Sequence, residues 1–74
     1  MFGGYTEVDG TKLKALREDR AFSVRDLAEV AGVSTDTITA YEKGRRKAWP
    51  RNVRKLADAL GVEPRELMIG SRRG

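Results

Sequence analysis

SVRDLAEVAGVSTDTITAYEKG, residues 23–44, is the stretch whose reading decides the fold. Ser23 followed by Asp26 has the spacing of a capping box, in which each residue satisfies an orphan N–H of the other. Val24, Leu27, Ala28 and Ala31 then recur at helical spacing, so one face of this helix is buried. Gly32 supplies a stop at which a positive φ is cheap. Only Val33 separates it from Ser34, the cap of the next helix, where Ile38 and Tyr41 can join Val33 in a core. Two helices joined so closely must cross steeply, as a helix-turn-helix. That geometry leaves Thr35, Asp36, Thr39, Ala40 and Lys43 on the solvent side of the second helix.

Upstream, TKLKALREDR (11–20) sets Leu13 and Leu16 on one face of a first amphipathic helix, with Thr11 as its expected N-cap. Residues 1–10 have glycines at 3, 4 and 10 and no helical period, which predicts a flexible or extended lead-in with a short strand over Tyr5–Val8. Downstream, Gly44 ends the third helix. Pro50 suits the first position of a fourth, whose apolar face is Val53, Leu56, Ala57 and Leu60, closed by Gly61. EPRELM (63–68) reads as a last short helix, and the tail SRRG (71–74) as disordered. The fold class is therefore all-α, a bundle of about five short helices. A folded domain over 11–69 lies between the lead-in 1–10 and the tail 70–74.

With 74 residues the chain is one small domain, near the lower limit for a self-sufficient core. It contains no cysteine and no histidine, which excludes disulfides, thiolate metal sites and the commonest general base. No enzyme, no metal and no cofactor is expected, and no small-molecule ligand is evident. No apolar run approaches the ~20 residues of a membrane span, and MFGGYTEVDG has acids but no basic residue, unlike a signal peptide. A cytoplasmic location follows, nucleoid-associated when bound to DNA. Net charge is +4, but residues 43–55 hold seven positive residues and no acid, which leaves a balance of −3 on the rest. A basic patch on a slightly acidic body is the footprint of a polyanion binder; a solvated face kept for solubility is the plainer alternative.

Taken in order, LKALREDR, SVRDLAEVAGVSTDTITAYEKG and RRKAWPRNVRKLADALGVEPREL make residues 12–69 resemble the phage-repressor (Cro/cI-like, or XRE) helix-turn-helix domain. Ala28, Gly32, Ile38, YEKG and ALGV in correct spacing carry the likeness. It implies a lambda-repressor-like bundle with the third helix in the major groove of double-stranded DNA. It also implies that Arg17 pairs with Glu42, tying that helix to the first, with a direct phosphate contact by Arg17 as the alternative. Base edges would be read by Thr35, Asp36, Thr39, Ala40 and Lys43. Phosphates would be met by Ser23, Arg25, Thr37, Arg45, Arg46, Lys47, Arg51 and Arg54. Two positions depart from the family pattern. Val24 stands where a phosphate-bracing glutamine is common. Trp49 stands where a small or capping residue is usual; packing beneath the fourth helix is its favoured role, an indole N–H aimed at a phosphate the other.

The expected function is a sequence-specific transcriptional regulator, most simply a repressor acting on a pseudo-palindromic operator. No Arg, Gln or Asn precedes Lys43 among the base readers, so selectivity rests on Thr35, Thr39 and on Asp36, which can accept from a cytosine amine. Asp36 has an equally plain alternative as a helix-dipole partner. The basic segment would supply the affinity. The runner-up is a protein–protein interaction module on the same scaffold, and RNA binding comes third. ELMIG (66–70) ends the domain with clustered apolar residues. These serve either a weak homodimer or the monomer core.

Overall fold

A computed structural model of the chain describes residues 5–69. They form α1 (Gly10–Asp19), α2 (Val24–Ala31), α3 (Thr35–Glu42) and α4 (Pro50–Leu60), followed by a single 3-10 turn, Pro64–Leu67. α1 packs on α3 and the 3-10 turn, α2 on α3 and α4, and α4 on the 3-10 turn. The side chains of Leu13, Leu27, Ile38, Leu56 and Leu67 meet at the centre, all fully buried, with Tyr41 and Val53 beside them. The apolar faces of α1–α4 are thus the ones their periodicities indicate.

The capping box of α2 is complete: Ser23 Oγ accepts from Asp26 N at 2.9 Å, and Ser23 N donates to Asp26 Oδ2 at 3.1 Å. The backbone N–H of Ser23 on the carboxylate, and after it the Ser23 hydroxyl, hold Asp26 below the usual carboxylate range. Gly32 closes α2 at φ 74°, with Val33 N bonded back to Ala28 O, and Ser34, the N-cap of α3, follows directly after Val33. The α1–α2 turn uses the same left-handed backbone without a glycine. Ala21 sits at φ 59°, and Phe22 N donates to Arg17 O at 3.0 Å.

Three expectations are corrected. α1 begins at Gly10 and its N-cap is Asp9, whose carboxylate accepts from Lys12 N at 3.1 Å; Thr11 lies inside the helix. Asp is the better cap, and the early start brings Gly10 against the end of α3. A Cβ at residue 10 would collide with the carbonyl oxygens of Tyr41 and Glu42. The strand expected over Tyr5–Val8 is an extended strap that uses both edges. Thr6 exchanges two hydrogen bonds with Ala48, at 2.7 and 2.8 Å, while Val8 bridges Met68. The last element is a 3-10 turn because Met68 is drawn into that bridge in extended conformation. Of the clustered terminal residues, Leu67 belongs to the core and Ile69 is 54% exposed. The tail 71–74 lies outside the described residues.

Candidate nucleic-acid interface

The rotation of α3 about its axis is fixed by what it buries. Ile38 and Tyr41 point into the core with Val33, so Thr35, Asp36 and Lys43 are exposed while Thr39 and Ala40 are half-buried. Asp36, Thr39, Ala40 and Lys43 line one shallow concavity of about 380 Å³ together with Arg45 and Arg46. Thr35 stands exposed in the first turn, just after the N-cap Ser34, which accepts from Thr37 N at 3.2 Å.

The other end of α3 is clamped. Arg17 Nε donates to Glu42 Oε2 at 2.7 Å and Nη2 to Glu42 Oε1 at 3.2 Å, a forked pair with both side chains about nine-tenths buried. Its third donor, Nη1, reaches the Phe22 carbonyl at 2.9 Å. One guanidinium therefore joins α1, the α1–α2 turn and α3. The hydrogen bond to Glu42 is the main cause that raises its pKa above the ordinary value, against a burial penalty that lowers it.

All seven basic side chains from Lys43 to Lys55 are exposed, and among the described residues none forms an ion pair; the pairs lie at Arg17 and Arg20. Arg45 N bonds to Ala40 O at 2.9 Å and the Thr6–Ala48 exchange fixes the far side of the turn, so the charges sit on a held backbone. Arg46 Nη1 reaches Thr37 Oγ1 at 3.4 Å, linking the turn to α3. Thr37 Oγ1 also accepts from Ser34 Oγ at 2.8 Å, so its own proton remains for an outside acceptor.

Residues 10–68 match the family model described as a helix-turn-helix domain. The chain belongs to that family. The helix-turn-helix repressor RghR of Bacillus subtilis is 42% identical over 60 residues, which cover 80% of this chain and 44% of RghR. The restriction-modification controller protein C.AhdI from Aeromonas hydrophila is 37% identical, with a TM-score of 0.76 over 80% of this chain and 89% of that one. The biofilm master regulator SinR, solved in complex with DNA, is 25% identical with a TM-score of 0.72, covering 74% and 89%. The chain spans only part of several curated relatives, 13% of one from Pyrococcus horikoshii and 23% of one from Mycobacterium bovis.

Within this helix-turn-helix domain, Ser23 and Arg25 stand exposed at the start of α2, and Arg51 and Arg54 on the first turns of α4. Trp49 is not packed beneath α4. In the extended N-cap position its neighbour Ala48 points inward and is fully buried, which turns the indole outward, 40% exposed. It rests on Tyr5, ring centroids 4.3 Å apart at 42°, with the Arg51 guanidinium 5.9 Å from its centroid. A groove of about 560 Å³ runs between them and α3, lined by Tyr5, Thr37, Tyr41, Arg46, Lys47, Trp49 and Asn52. Tyr5 and Asn52 were not legible as site residues: Asn52 is found through Tyr41, whose hydroxyl accepts from Asn52 Nδ2 at 3.0 Å. Among the described residues, no helix is long and apolar enough to cross a membrane.

Proposed function

We propose that this chain is a double-stranded DNA-binding domain of a transcriptional regulator, most simply a repressor. α3 enters the major groove and the basic segment lies along phosphates. The observation that carries this reading is the concavity in which Asp36, Thr39, Ala40 and Lys43 of α3 adjoin Arg45 and Arg46. A helix face poor in charge, bordered by exposed cations with no acid partner, matches the separation of base readout from phosphate positioning. RghR is named as a repressor and SinR was solved with DNA, which supports the assignment.

In this reading Thr35, Asp36, Thr39, Ala40 and Lys43 meet base edges, and Ser23, Arg25, Thr37, Arg45, Arg46, Lys47, Arg51 and Arg54 meet phosphates. Arg17 and Glu42 hold α3 to the scaffold. A pseudo-palindromic site read by a weak homodimer in the cytoplasm fits a domain of this size. A binding role is supported by relatives named as a repressor and a controller protein.

Fluorescence anisotropy with genomic fragments and random duplexes, at several salt concentrations, tests the proposal. Selected fragments should bind well above the random background. With roughly five phosphates neutralised, log K should fall with log salt at a slope of about −4 to −5. Equal, weak binding to all duplexes would favour the protein-interaction module instead, a reading that Asp36 on the exposed face of α3 keeps open.

A further inference from the structure

The Tyr5–Trp49 corner lies outside the residues assigned to DNA so far. Among the described residues the indole N–H of Trp49 makes no hydrogen bond. Tyr5 packs on the ring at 4.3 Å between centroids, the Arg51 guanidinium lies 5.9 Å from its centroid, and Trp49 itself lines the adjoining groove. The groove beside it is lined by donors and holds no carboxylate. Tyr41, only 1% exposed, accepts there from Asn52 and has no acceptor for its own proton among the described residues. The proton of Thr37 is likewise unused. Trp49 caps α4 with its carbonyl, which accepts from Asn52 N at 2.9 Å and Val53 N at 3.2 Å, and its side chain makes no capping bond. These side-chain donors suit a compact anion, and Arg46 and Lys47 supply the charge.

We propose that this groove seats one phosphodiester of duplex DNA, with the Trp49 indole N–H as a direct donor and Tyr5 as the positioning residue that holds the ring. The inference rests on the DNA-binding reading above and extends it to the strap ahead of α1. Thr6 fixes the backbone of Ala48 and Tyr5 braces the side chain of Trp49, so the strap sets both halves of the contact. A flanking single strand fits less well, because a base needs an open aromatic face and this ring is already flanked.

Trp49 is the sole tryptophan, so its emission reports the site directly. Wild-type protein is titrated with a short labelled duplex of random sequence, and anisotropy and tryptophan emission are followed together at several salt concentrations. Both signals should share one midpoint. Trp49→Phe keeps an aromatic ring but loses the N–H, and should bind about tenfold more weakly. Its salt slope should be unchanged, since a neutral donor displaces no counterion. Lys47→Ala should instead lower the slope by about one. Tyr5→Phe should bind like wild type and Tyr5→Ala like Trp49→Phe, with circular dichroism confirming that each variant is folded. Duplex binding with unchanged emission and a Trp49→Phe affinity equal to wild type would overturn this inference and leave the DNA-binding reading intact. No duplex binding at all would overturn both. Tighter, Trp49-dependent binding of a single-stranded oligonucleotide would replace the duplex contact with a strand-binding one.

Discussion

Replacing Arg17 by methionine should come close to unfolding the domain, whereas replacing Arg17 and Glu42 together should not. With side chains 10% and 8% exposed, the pair has little solvent to screen it. Arg17→Met leaves the Glu42 carboxylate buried without a cation and the Phe22 carbonyl without its donor. Breaking a buried pair in this way costs about 3–5 kcal/mol. A domain of 74 residues has on the order of 4–11 kcal/mol in total. Glu42→Met strands the guanidinium instead and should cost a similar amount. In the double variant Arg17→Met, Glu42→Met no charge is left buried, and the remaining loss is the Phe22 carbonyl, about 1 kcal/mol. Urea denaturation followed by circular dichroism gives the cycle. The coupling should exceed about 2 kcal/mol, and single effects that add within about 0.5 kcal/mol would refute the reasoning. If the double variant is stable but binds DNA poorly, the pair's importance is the placement of α3, since methionine packing cannot reproduce a forked bond.

Gly10→Ala should destabilise by about 3 kcal/mol despite the ~1 kcal/mol that alanine gains in an unhindered helix; the added methyl meets backbone carbonyls of Tyr41 and Glu42, which cannot rotate aside. Thermal denaturation reads this directly, and a neutral result would mean that α1 and α3 are farther apart. Ala21→Gly should stabilise by about 0.5–1 kcal/mol, because a left-handed alanine costs more than the extra chain entropy of glycine; a fall in Tm would contradict it. Asp26, whose pKa is lowered, contributes stability that is present above its unfolded value of about 3.9 and is lost as pH falls through the folded one. The stability curves of wild type and Asp26→Asn should therefore differ at neutral pH and converge below that window; a constant gap down to pH ~2 would remove the carboxylate as the cause. Asp36→Asn should change which fragments are preferred and raise affinity for random duplex, measured by anisotropy; unchanged selectivity would assign Asp36 to the helix dipole alone.

The helices were legible because each signal was local. Ser23 with Asp26, Gly32, Ser34, Pro50 and Gly61 each acts within one turn, and the apolar periods name the faces that pack. What the sequence did not disclose depends on approaches between distant segments. Gly10 reads as lead-in until α3 is seen to end against it. Trp49 reads as a core residue because its size favours burial, yet the extended N-cap turns alternate side chains in opposite directions and Ala48 takes the inner place. Ala21 carries the left-handed turn without the glycine that would have announced it. Tyr5 and Asn52 enter the surface only through Trp49 and Tyr41, partners 44 and 11 positions away in sequence.

These long-range contacts divide the proposed DNA-binding surface into two separately held parts. α3 is fixed from below by Arg17, through Glu42, and by the close seat of α1 at Gly10. The basic turn is fixed from outside, by Thr6 on Ala48 and by Tyr5 on Trp49. Loosening the first support should blur which sequences are preferred, because base readout needs α3 at a set depth and angle. Loosening the second should weaken binding to all sequences alike, because phosphates repeat along every duplex. Among the described residues Arg46, through its bond to Thr37, is the one side chain of the basic turn bonded to α3, beside the backbone bond from Arg45 N to Ala40 O. Arg46→Lys keeps the charge and loses the fork, so a variant that retains affinity for random duplex while losing preference among fragments would locate the coupling in that one bond.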